Sequence, residues 1–202
     1  MARRIEDTRE AGRDVDLCLA YLSRHPRTHA GAYAPDEDEE QLMVFAGCDG
    51  TLTVTICADA LATFQEHQQL HWWRRERGGV LFARSVGHAN GNVDVAEATG
   101  PSARDRSGRT WLKLDHARCL QEISDRFHSG LHFVGYWHTH AETRPRLSPQ
   151  DVASIRPLVA DPGLDLARVL MVVVGGNRNT VSLDVSVLDR RSGTLIRLER
   201  DT

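Results

Sequence analysis

Long apolar runs are absent from this 202-residue chain. None approaches the roughly 18 residues that a membrane-crossing helix needs. Lysine is almost absent too: Lys113 stands alone, and every other cation among the 25 is arginine. Neither sign of charge dominates. The formal net charge is −3, which gives no electrostatic reason to expect nucleic acid or an anionic membrane as partner. The N-terminal stretch MARRIEDTREAGRDVD lacks an apolar h-region, so no secretory signal is expected and the cytoplasm is the expected compartment. Cysteine is sparse. Cys18, Cys48, Cys57 and Cys119 form no CxxC pair, which argues against a cysteine zinc site and a disulfide framework. There is no GxSxG elbow and no P-loop.

What the chain does contain is enough apolar residue, 41%, to build a core without covalent staples. The length suits one compact domain plus an extension. Residues 1–40 read as that extension: a short helix around 13–24, then a turn-rich linker ending in the acidic run Asp36 to Glu40. Residues 41–202 read as the domain. QLMVFAGCDGTLTVTIC predicts two strands about an Asp49-Gly50 turn, and Asn90-Gly91 predicts a second turn. ADALATFQEHQQLHWWRRE carries Leu61, Phe64, Leu70 and Trp73 near helical spacing. GGVLFARSV, NVDVAEAT, LHFVGYWHTH, ARVLMVVVGG, TVSLDVSVLDR and TLIRLER read as strands. PSARDRSGRTW reads as a polar loop, LDHARCLQEISDRFHSG as a helix closed by Gly130, and SPQDVASIRPLVA as another helix. The sum is an α+β domain: a strongly curved mixed sheet flanked by helices.

The chemistry concentrates in Trp137-His138-Thr139-His140 and Ser148-Pro149-Gln150-Asp151. Side chains alternate faces along a strand, so His138 and His140 point the same way. Two imidazoles on one face are ready zinc ligands, and Asp151 could be the third if the intervening loop folds back. Taken alone, Ser148-Pro149-Gln150-Asp151 is a helix start with a Ser N-cap. The two readings are compatible, because a capped helix end holds its side chains still. Glu76, in RERGGVL, reads by itself as a surface residue among arginines. His67 and His71 are four apart, but Gln68 follows His67, so HExxH fails and an exposed face is expected.

The set of Glu76 before a Gly-rich strand opening, then His138 and His140, then Ser148 and Asp151 resembles the JAMM/MPN+ zinc metallopeptidase family. The resemblance covers about residues 41–202. Ala141 and Ala83 depart from its commonest form, at positions that carry no chemical group. It implies an MPN fold with cytidine-deaminase-like layering and one zinc held by His138, His140 and Asp151. It further implies Glu76 as general acid/base and Ser148 as oxyanion donor. The implied substrate is an amide after the C-terminal tail of a ubiquitin-like protein, with residues 101–112 as a short flap over that tail. The resemblance extends to bacterial proteins of antiphage operons that hold ubiquitin-activating-like and conjugating-like enzymes. A hydrolase releasing a small adduct from a ubiquitin-fold sulfur carrier, and a non-catalytic scaffold, are the alternatives.

Overall fold

The structure, a computed structural model, describes residues 42–48, 50–86, 91–160 and 166–201. The extension 1–40 with the helix expected in it, and the expected turn residues Asp49 and Asn90, lie outside the described residues.

The chain opens with β1 (Met43–Ala46) and β2 (Thr53–Ile56), paired antiparallel. Gly50 sits between them at φ +67°, a backbone conformation that glycine adopts without Cβ strain. Helix α1 (Ala58–His67) follows. Alanine and leucine favour it, and Asp59 in its first turn suits the positive end of the helix dipole. Periodicity predicts a longer helix than this. The backbone turns extended at Gln68, where the Gln68 side chain donates to the Gly175 carbonyl at 2.8 Å. A tertiary hydrogen bond replaces the next helical turn. Leu70 and Trp73, expected on the helix's apolar stripe, are therefore exposed.

Strands β3 (Gly78–Val86) and β4 (Asn92–Ala98) come next. The expected polar loop beyond them carries a small hairpin, β5 (Arg106–Ser107) with β6 (Leu112–Lys113). Helix α2 (His116–His128) starts on Asp115, whose carboxylate accepts from the Arg118 amide at 2.8 Å, and closes at Gly130 with φ +80°. Then come β7 (His132–Thr139), α3 (Pro149–Ala160), β8 (Arg168–Asn177), β9 (Thr180–Asp189) and β10 (Leu195–Arg200).

Eight strands form one mixed sheet in the order β1-β10-β9-β8-β7-β3-β4-β2. The expected curvature goes further than anticipated: β1 pairs with both β2 and β10, so the sheet closes. Pairs β2–β4 and β7–β8 are parallel. Both faces are buried. Leu81, Ala83, Trp137, Val172 and Val185 face one core together with Leu61 and Phe64 of α1. Val80, Phe82, Phe133 and Met171 face a second core with Cys119 and Ile123 of α2. β8 is covered on both sides, which explains its unbroken apolar run. No described helix is long and apolar enough to cross a membrane.

Candidate metal centre

The end of β7 separates two kinds of side chain. Trp137 points into the first core, fully buried, its Nε1 donating to the Thr99 carbonyl at 2.9 Å. Thr139 is buried as well. Its Oγ1 accepts from the Arg77 amide at 3.0 Å, and its own amide donates to the Arg77 carbonyl at 2.8 Å. That reciprocal pair fastens the segment carrying Glu76 to the end of β7. His138 and His140 take the opposite face, as strand alternation demands. Gly78 lies opposite His138 in the ladder. A Cβ at Gly78 would overlap the Trp137 carbonyl and the Leu112 side chain, so glycine lets β3 pass close beside the first histidine.

Helix α3 brings in the third group. Ser148 precedes it, and the Asp151 amide donates to Ser148 Oγ at 3.2 Å while the Ser148 amide donates to Asp151 Oδ2 at 2.7 Å. This is a capping box with aspartate in place of the usual glutamate. The same Asp151 oxygen lies 3.4 Å from His138 Nε2 and 3.6 Å from His140 Nε2. The two imidazole nitrogens are 3.2 Å apart. A tetrahedral ion with bonds of about 2.0–2.1 Å has donor-to-donor edges of about 3.3–3.4 Å. The three donors therefore already stand at zinc spacing, and among the described residues they are the one such cluster.

Glu76 stands beside them, buried, with Oε1 3.9 Å from His140 Nε2. Burial pushes its carboxyl up to about 7; His138 pulls it down and the Asp151 charge adds to the rise. Asp151 goes the other way. Burial alone would raise it, but its hydrogen bond and charge interaction with His138 and its hydrogen bonds with Ser148 hold it well below the usual carboxylate range. Burial, aided by His138, lowers His140 against the raising influence of Asp151, Glu142 and Asp184, which favours the neutral imidazole that a metal requires. The two neighbouring carboxyls are thus pushed in opposite directions by their surroundings.

The structure brings together all five residues singled out in the sequence. Several supporting residues had no such signal. Glu76 donates its amide to the Gly108 carbonyl at 2.8 Å, which ties it to the β5–β6 hairpin. Buried Gln69 donates to the Arg74 carbonyl at 2.7 Å and to the Arg109 carbonyl at 3.2 Å. Asp184 on β9 accepts from the Leu147 amide. An acid in the middle of the largely apolar TVSLDVSVLD run was the only hint of it. His67 is half-buried, against expectation, stacked at 6.3 Å on Trp137. Since α1 ends there, His71 does not share its helical face and stacks instead on Trp73 at 4.4 Å.

Residues 58–186 match the family model described as prokaryotic homologues of the JAB domain. A curated protein of Enterobacter hormaechei subsp. hoffmannii named "CD-NTase/cGAS isopeptidase" is 28% identical over 116 residues, 57% of this chain and 64% of that protein. The match thus spans under two thirds of that relative's length. Proteins of the same name from Vibrio cholerae and Escherichia coli are 29% and 24% identical, each over 60% of this chain and 76% of the relative. In fold, the chain is similar to the solution structure of a Desulfitobacterium hafniense protein. The TM-score is 0.51 at 16% identity, over 73% of this chain and 89% of that one.

Proposed function

Because this chain belongs to the family of prokaryotic homologues of the JAB domain, we propose that it is a zinc-dependent isopeptidase. Its substrate is the amide after the C-terminal tail of a ubiquitin-like protein, within bacterial antiphage defence. The observation that carries this reading is the convergence of His138, His140 and Asp151 at 3.2–3.6 Å with Glu76 buried alongside. The names of the three relatives support the isopeptidase class and supply a candidate for the protein that bears the bond, a CD-NTase.

His138 Nε2, His140 Nε2 and Asp151 Oδ2 would hold the ion, which when bound supplies Lewis acidity and a nucleophilic water at neutral pH. Glu76 takes the proton of the attacking water on its carboxylate and passes it to the departing amine. Burial beside the ligands raises this carboxyl, which favours its taking up the proton. Ser148, fixed by its cap, directs its hydroxyl to the developing oxyanion. Water adds to the carbonyl and the C–N bond then breaks to release the amine, with no acyl intermediate on any residue.

The test is to incubate the zinc-loaded chain with a ubiquitin-like protein carrying a C-terminal extension, and with a CD-NTase conjugate. Products are read by intact mass. Cleavage immediately after the last residue of the tail is expected. No cleavage of either would turn the reading to the small-adduct hydrolase.

A further inference from the structure

Three of the four tryptophans avoid the core. Trp72, Trp73 and Trp111 are exposed by 66%, 58% and 43%. Exposed tryptophan contributes little to folding and costs solubility, so a cluster of them marks a surface that is covered in use. These three belong to two limbs that meet. Trp72 and Trp73 lie on the stretch between α1 and β3, with rings 5.9 Å apart. Trp111 lies on the β5–β6 hairpin, and Arg109 of that hairpin sits 5.6 Å over the Trp72 ring. The Gln69 side chain donates to a carbonyl of each limb, so the surface is assembled before anything binds, which lowers the entropic cost of docking.

Between the limbs runs a cleft of about 430 Å³, with residues 73–77 on one side and Leu112 of the hairpin on the other. Glu76 lines it, so it runs up to the residue that stands beside the metal centre. That volume admits a few residues of extended chain rather than a folded domain. Arg74, Arg75 and Arg77 are exposed along it. Among the described residues none of the three makes an ion pair with a carboxylate. The opposing acid, Asp105, is already engaged by Arg118 at 3.4 Å. Three arginines in four residues, none with a carboxylate partner among the described residues, are a local excess on a chain whose net charge is −3.

We propose that this cleft takes an acidic, extended segment of the protein substrate, with a large apolar side chain resting on Trp73. The proposal builds on the isopeptidase reading and gives it a sequence preference: acidic residues beside the scissile amide. Arginine and tryptophan also suit single-stranded nucleic acid. One consideration favours a polypeptide: on the isopeptidase reading, the chemistry beside Glu76 acts on an amide.

The test is fluorescence anisotropy with the full, metal-free chain, so that binding is read without catalysis. The probes are a fluorescein-labelled peptide in which aspartates flank a phenylalanine, the same peptide with lysines for aspartates, and a labelled oligothymidylate. The acidic peptide should bind about tenfold or more tighter than the lysine peptide. An Arg74→Glu, Arg75→Glu double variant should erase that preference, an Arg74→Lys, Arg75→Lys variant should keep most of it, and Trp73→Ala should weaken binding about tenfold. A circular-dichroism melt checks that the variants fold. Equal binding of both peptides, charge reversal without effect, or tighter binding of the oligothymidylate would overturn the proposal. Because the measurement involves no hydrolysis, it can succeed where the isopeptidase reading fails, and the reverse.

Discussion

The Asp184 carboxylate on β9 accepts the Leu147 amide at 2.8 Å, so a buried charge fixes the residue just before Ser148. Arg197 balances that charge at 2.6 Å. The other end of the loop is fixed too: the Gly176 amide donates to the Glu142 carbonyl at 2.9 Å. The loop between the histidines and Asp151 is thus held at both ends by the sheet. Asp184→Ala should weaken zinc binding about 10- to 100-fold, the usual scale for groups that orient metal ligands. Asp184→Asn, which keeps an acceptor for Leu147, should lose less. Chelator competition measures both. Unchanged affinity in the alanine variant would reduce Asp184 to a packing role.

Replacement of buried Glu76 should separate binding from turnover. Glu76→Gln should retain one zinc per chain by elemental analysis, yet lose about 10²-fold or more in kcat. His138→Ala with His140→Ala should lose the zinc itself. Near-normal turnover in Glu76→Gln would mean that another group moves the proton.

Ser148 caps α3 and is proposed as the oxyanion donor, and one substitution separates the two. Ser148→Ala removes a cap worth about 1 kcal/mol and an oxyanion donor worth about 10²-fold or more in kcat. Ser148→Thr preserves both groups and should restore the melting temperature. If alanine lowers stability but not rate, the residue is a cap only.

The raised carboxyl of Glu76 predicts a pH signature in the metal-free chain. Its folded value, about 7, lies above its unfolded one, so the folded state binds that proton more tightly. Stability from this group is therefore highest below the unfolded value and falls as pH rises through about 7. His140 and His67, both lowered chiefly by burial, act in the opposite sense. Comparing wild type with Glu76→Gln isolates the carboxyl. The gap in melting temperature should move in favour of the glutamine variant between pH values of roughly 5 and 8. A constant gap would show that Glu76 titrates alike in both states.

Gly78 offers a test of packing alone. An added Cβ would overlap the Trp137 carbonyl. Gly78→Ala should therefore cost about 1–3 kcal/mol and loosen zinc binding by displacing His138. A variant with wild-type melting and zinc affinity would show that β3 can shift without consequence.

Much of the site was legible because its signals are local. Strand alternation alone put His138 and His140 on one face, and Ser148, Pro149 and Asp151 wrote a helix start into four residues. Most strands and both turn glycines were legible for the same reason. What stayed hidden depends on partners far along the chain. The end of α1 is set by Gln68 reaching Gly175 on β8. The hairpin in the expected flap 101–112 is held by Gly108 meeting Glu76. Asp184 reveals its role only once β9 lies beside the loop. Periodicity cannot report such contacts, and the closure of the sheet is another of the same kind.

That closure carries a kinetic consequence. Phe45 pairs with Arg200 and Ala46 with Glu199, so the last seam joins strands from opposite ends of the described chain. Its loop is nearly the longest the domain allows, and long-loop pairings are the slow ones in folding. Until the seam forms, β1 and β10 each show a bare edge to any neighbouring chain. The interval before closure, rather than the finished domain, is when crowded refolding should end in aggregates, and diluting the chain should relieve it.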